Sequence, residues 1–196
     1  MDAWNFVYYP ALAIFISFLV TLTLFPSWIT KVQSIHMCHH QGTTTNHNRI
    51  NNDLFVPITI LIFNLGDLFG RIMAKTVSVD NSKKFTFHLF LMAMARFIFF
   101  PLFLLCNVPG KSISLLIASD TYFYILLLTF AISNGLLVTL AFMHAPQLLP
   151  SNNNHHNHDE IQEVASTILT FAVSIGLLSG STFSFLFNYI GTGTFI

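Results

Sequence analysis

Charge is what this sequence has least of. Asp, Glu, Lys and Arg together make up 8% of its 196 residues, where soluble domains carry about 25%. So sparse a set cannot cover a water-facing surface, which excludes an ordinary soluble domain and points to a membrane protein. Acids and bases balance at eight each, so there is no basic excess for a nucleic acid to neutralise. Cysteine is nearly absent. Cys38 and Cys106 exclude a disulfide scaffold, and a single bridge between them requires both to face the same oxidising side. No N-x-S/T sequon occurs, so glycosylation offers no marker of sidedness. Only Asp2, and no Lys or Arg, precedes the first apolar run, which argues against a cleaved signal peptide. No nucleophile–base pattern, P-loop or dinucleotide fingerprint is found. The expectation is therefore no enzyme and no cofactor.

What is present is greasy. Hydrophobic residues reach 54%, and 22 of the residues are Phe, a composition suited to lipid-facing helices. Five runs are long enough to cross a bilayer at about 20 residues each: 6–28, 54–74, 85–107, 121–149 and 164–190. They predict an all-α, polytopic bundle in one membrane domain, with backbone polar groups satisfied inside each segment. Pro26 marks a stop or kink near the end of the first run. Polar loops rich in His, Thr and Asn separate the runs, notably 31–52 and 150–158. An odd number of spans puts the termini on opposite sides. Lys75, Lys83 and Lys84 on one side face Lys31, Arg49 and Lys111 on the other. The positive-inside rule is thus nearly silent, and only Arg71 tips it towards a cytosolic N-terminus.

Three charges lie well inside the spans: Asp67, Arg71 and Arg96. Each costs about 2.5–3.5 kcal/mol at a helix centre. Asn64, Asp67 and Arg71 are three and four residues apart, so in a helix they share one face. One reading is mutual neutralisation of Asp67 and Arg71, in the favourable order of acid before base at i, i+4. The sharper reading, which Asn64 on the same face favours, is a wet cavity whose groups hydrogen-bond a polar solute. Arg96 has no acid in its own span, so it serves either a structural interhelix bond or a gate or site role.

Gly66 and Gly70, like Gly176 and Gly180, are spaced as G-x-x-x-G and read as close helix contacts. Ser133-Asn134-Gly135 reads as an interhelix hydrogen bond with a glycine for contact, in preference to a local loosening of the helix. His36–His40 and His155–Glu160 contain metal-ligand residue types without a fixed spacing. They read as biased linkers, and a divalent-metal permease is the weaker alternative they leave.

Taken together these segments resemble the equilibrative nucleoside transporters. F-N-L-G-D-L-F-G-R at 63–71 resembles the family's F-N-x-x-D-x-x-G-R. Ala95–Asn107 resembles its R-x-x-F-x-P-L-x-x-x-C-N, Ser133-Asn134-Gly135 with Ala145-Pro146 its S-N-G and closing proline, and Phe25-Pro26-Ser27 its F-P-S/A. Glu163-Val164-Ala165-Ser166 and the run 176–185 resemble its E-x-A-G and G-L-x-x-G-x-x-x-S-F. Ser166 and Leu136 depart from the pattern, where Gly and an aromatic are usual.

The resemblance covers only the last five of the family's eleven spans, which adopt a fold similar to the major facilitator superfamily. It implies facilitated transport of nucleosides or nucleobases by alternating access, in the plasma membrane, with the N-terminus cytosolic and the C-terminus outside. It implies that Asp67 and Arg71 contact the ribose hydroxyls with Asn64 nearby. Arg96, Asn134, Gly70 and Glu163 would be structural or gating positions, and no metal or cofactor is expected. The expected partners are the nucleoside, the lipid bilayer, and either a missing N-terminal half or a second copy. A truncated gene model and a shortened paralogue are both consistent with Met1 standing just before the first span. A non-transporting subunit that pairs with a full-length relative is the alternative from another functional class.

Overall fold

A computed structural model describes residues 4–29, 54–77, 83–106, 120–145 and 155–192. The helices are α1 (Trp4–Leu24), α2 (Phe55–Ala74), α3 (Lys83–Ala95), α4 (Phe99–Leu104), α5 (Asp120–His144) and α6 (His155–Thr192). A 3-10 turn, Arg96–Ile98, joins α3 to α4, and the two make one span. Five segments are long and apolar enough to cross a membrane: Val7–Leu24, Phe55–Ala74, Lys84–Leu104, Thr121–His144 and Gln162–Ile190. The chain is an all-α integral membrane protein.

Helix ends follow local chemistry. α1 stops at Leu24, ahead of Phe25, whose helical conformation the ring of Pro26 disfavours. α5 stops at His144, two residues before Pro146, and 146–149 lie outside the described residues. The third span is not one continuous α-helix, as an apolar run suggests. Pro101 has no N–H for the Phe97 carbonyl and its ring crowds that oxygen, and the backbone tightens into the 3-10 turn just ahead. α6 differs most from expectation. It reaches back to His155, so the second half of the 150–158 run is helix. Nothing from His155 onward in that run is Gly or Pro, so no breaker interrupts the helix there. At about 1.5 Å per residue, its 38 residues exceed what a hydrocarbon core of about 30 Å requires.

α1 packs most extensively on α6, and α2 on α5. The third span packs chiefly on α1 and also touches α5. α1 and α5 are the central helices, while α2, α3/α4 and α6 keep most of their surface outward. Glycines set both main contacts. A Cβ on Gly176 would lie 2.9 Å from the Phe15 carbonyl oxygen, and one on Gly180 2.8 Å from that of Leu19. On the other pair, a Cβ on Gly70 would run into the Ile132 carbonyl, and one on Gly135 into the Asp67 carbonyl. These glycines are contact points between helices, as their spacing indicated.

Phenylalanine does more than face lipid. Phe55, Phe63, Phe103, Phe123 and Phe130 are buried, and Phe130 meets Phe63, Phe99 and Phe103 with centroids 5.0–6.0 Å apart. Rings of this size fill the space between tilted helices and gain from edge contacts. Cys106 is buried, while Cys38 and the run His36–His40 lie outside the described residues.

Candidate functional site

Close approach of α2 and α5 is what builds the polar centre. Because Gly70 and Gly135 let the two backbones touch, Asn134 on α5 reaches Asp67 on α2. Asn134 Nδ2 donates to Asp67 Oδ1 at 2.7 Å. On the other carboxylate oxygen, Arg71 Nε donates to Asp67 Oδ2 at 2.8 Å, one helical turn along. The chain of bonds continues inward. Thr21 Oγ1 of α1 lies 2.8 Å from Asn134 Oδ1 and 2.6 Å from the Ser17 carbonyl, sharing one proton between two acceptors. Arg96 Nη2 donates to Thr21 Oγ1 at 3.0 Å. Its Nη1 donates to Ser133 Oγ at 2.7 Å and to the Phe130 carbonyl at 3.3 Å.

Donation runs from Arg96 through Thr21 and Asn134 to Asp67, and from Arg71 to Asp67 on the other side. Two guanidinium groups therefore converge on one carboxylate, directly or through neutral carriers, across α1, α2, α5 and the 3-10 turn. Burial explains the arrangement. Arg96 is 1% exposed, and a charge so placed must be paired or hydrogen-bonded. Among the described residues Arg96 Nε has no hydrogen-bond partner. The guanidinium carbon sits 4.6 Å from the Phe130 ring centroid, so the ring face supplies part of the compensation.

The outer end of the chain is open. The Arg71 side chain is 51% exposed and that of Asp67 15%. Arg71 commits one of its five N–H donors, and both its Nη groups have no protein partner among the described residues. Asp67 has about four lone-pair sites, of which two are used. Asn64 is exposed on the same helix, and its Nδ2 donates to the Ile60 carbonyl at 2.8 Å, so it joins neither Asp67 nor Arg71. Beyond the pair lies a cleft of about 540 Å³ that Arg71 lines with residues of α1, α5 and α6. Of Asn64, Asp67 and Arg71, only Arg71 lines it.

Arg96, Asn134 and Asp67 thus belong to one hydrogen-bonded chain, with Gly70 at the contact that closes it. Glu163 does not join: it is exposed on α6, and among the described residues only its backbone carbonyl is engaged, by Ser166 Oγ at 2.8 Å and Thr167 Oγ1 at 2.9 Å. Sequence reasoning missed Thr21. Threonine in an apolar helix ordinarily bonds its own backbone, as Thr59 and Thr129 do here, so nothing in the sequence marks Thr21 out. No group of His, Cys, Asp or Glu suited to a metal occurs among the described residues.

Thr21→Val should therefore lower stability by about 1–2 kcal/mol, the upper range for hydrogen bonds within membranes, because it strands Arg96 Nη2 and Asn134 Oδ1 together. Thr129→Val, which loses only a bond to the Ile125 carbonyl on an exposed face, should cost close to nothing. Thermal inactivation of the two variants in detergent checks this, and equal midpoints would contradict it.

A family profile described as "Nucleoside transporter" matches residues 4–189. The chain is 35% identical to human equilibrative nucleoside transporter 2 over 186 residues, which is 93% of this chain and 36% of that protein. It is 31% identical to rat equilibrative nucleoside transporter 3 over 180 residues, covering 90% and 34%. It is 27% identical to the Saccharomyces cerevisiae nucleoside transporter FUN26 over 188 residues, covering 93% and 33%. The chain spans about a third of the length of these curated relatives. With five spanning helices and a profile match along nearly its whole length, the chain belongs to the nucleoside transporter family.

Proposed function

We propose that these five helices form the C-terminal half of a transporter that equilibrates nucleosides, and nucleobases with them, across the plasma membrane by alternating access. The observation that carries the reading is the Asp67–Arg71 pair. Its carboxylate is fixed by Asn134, while among the described residues both Nη groups of Arg71 remain unbonded at the edge of a cleft. A ribose diol offers donors and acceptors side by side. The free lone pairs of Asp67 accept from its hydroxyls and the free N–H groups of Arg71 donate to them. A second half, or a second copy, covers the outward face of α2 that bears Asn64 and Arg71, and solute is exchanged as the halves rock about the site. The N-terminus is cytosolic and the C-terminus outside.

Exchange kinetics test the mechanism. Cells expressing the native protein should equilibrate labelled uridine without concentrating it. Preloading them with unlabelled uridine should accelerate uptake, as expected where return of the empty carrier limits the cycle. Uptake that concentrates uridine above the external level, or that ignores preloading, contradicts facilitated alternating access.

A further inference from the structure

The cleft beside Arg71 has a second polar wall. Thr139 on α5 and Thr170 on α6 line it together with Arg71, and Phe18 and Phe142 supply rings. Its size, about 540 Å³, is within the range of about 300–1,000 Å³ typical of small-molecule sites.

The two hydroxyls differ. Thr170 Oγ1 donates to the Ser166 carbonyl at 2.9 Å, which leaves it an acceptor only. Thr59, Thr129, Thr167 and Ser174 spend their protons in the same way, on the carbonyl one turn back. Thr139 does not. Among the described residues its hydroxyl makes no hydrogen bond, although it is only partly exposed. It presents both a donor and an acceptor to the cleft. A helix buried in a bilayer ordinarily closes such a group onto its own backbone.

An open hydroxyl, an acceptor across from it and two aromatic rings suit a flat heterocycle with apolar faces and a polar edge. A nucleobase has that chemistry, whereas a sugar lacks the apolar faces. We propose that this cleft seats the base of the nucleoside, with Thr139 bonding the base edge while the ribose is held at Asp67 and Arg71. The proposal rests on the transport reading given above and adds the group that contacts the base.

The test uses the complete transporter in cells. Thr139→Val keeps the shape of the side chain and removes the hydroxyl, and Thr139→Ser keeps the hydroxyl. Loss of one neutral hydrogen bond predicts a KM for uridine raised roughly two- to tenfold in Thr139→Val with an unchanged maximal rate, and a wild-type KM in Thr139→Ser. Thr139→Cys gives a readout that does not depend on turnover. A water-soluble methanethiosulfonate should label it, and uridine and uracil should both slow the labelling while ribose does not. An unchanged KM in Thr139→Val, or labelling that neither uridine nor uracil slows, overturns the proposal. Failure of the ribose assignment would show separately: uracil would still protect Cys at 139, and loss of the ribose 3′-hydroxyl would cost no affinity in the wild-type protein.

Discussion

Arg71→Ala in the complete transporter is expected to abolish uridine uptake while the protein still reaches the membrane in normal amount. The two halves of that statement have separate causes. Arg71 is half exposed, and its one bond among the described residues is to the neighbouring turn of its own helix, so its removal opens no cavity. Surface pairs of this kind contribute about 0–1 kcal/mol. Asp67 keeps the bond from Asn134. The loss falls on the solute. Up to four N–H donors disappear from the cleft edge, and each charge-assisted bond to a hydroxyl is worth about 1.5–3 kcal/mol. Two such bonds amount to a hundredfold or more in affinity. Uptake of labelled uridine beside surface biotinylation checks both halves. Near-normal uptake would remove Arg71 from the site, and absent surface protein would make its role one of folding.

The second large effect is at Gly70. Gly70→Leu should reduce accumulation severalfold, with uptake falling in proportion. The obstacle to the new side chain is the backbone around Ile132–Leu136, which cannot swing aside as a side-chain tip can. α2 and α5 would have to separate. Separation also lengthens the Asn134–Asp67 bond, so packing and the polar chain are lost together. Gly66→Ala is the milder comparison. There the nearest neighbours are side-chain atoms, Ala131 Cβ at 2.8 Å and Leu128 Cδ1 at 3.2 Å, and Leu128 is exposed and free to turn. A total-protein immunoblot of both variants separates the cases, and normal abundance of Gly70→Leu would contradict this account of the contact.

These two sites also mark how far the sequence could be read. Five spans were legible because apolar runs of that length, with at most two charges each, have one stable outcome in a bilayer. The Asp67–Arg71 bond was legible because i, i+4 spacing on a helix decides it without tertiary information. Asn134 and Gly135 announced an interhelix contact but not its partner. The partner of Arg96 was out of reach for a related reason. Its charge returns to Asp67 through Thr21 and Asn134, on two other helices, and a contact between distant segments leaves no mark in local spacing. The outward face of Asn64 was equally invisible. A shared helical face with Asp67 and Arg71 does not by itself make a shared hydrogen-bond network, and Asn64 bonds the carbonyl of Ile60 one turn back. The helical start of α6 was missed because an Asn- and His-rich composition reads as loop, whereas only a Gly or Pro would have stopped the helix.

The most direct measurement of the central claim, that Asp67 and Arg71 hold the ribose, pairs a change in the protein with a change in the solute. Equilibrium binding of uridine and 3′-deoxyuridine would be compared in the purified complete transporter and its Arg71→Lys variant. A lysine keeps the charge but not the forked donors. The account predicts that removing the 3′-hydroxyl weakens binding about tenfold or more in the wild-type protein and by less than about twofold in Arg71→Lys. The same penalty in both proteins would contradict it, because the hydroxyl would then be held by some other group.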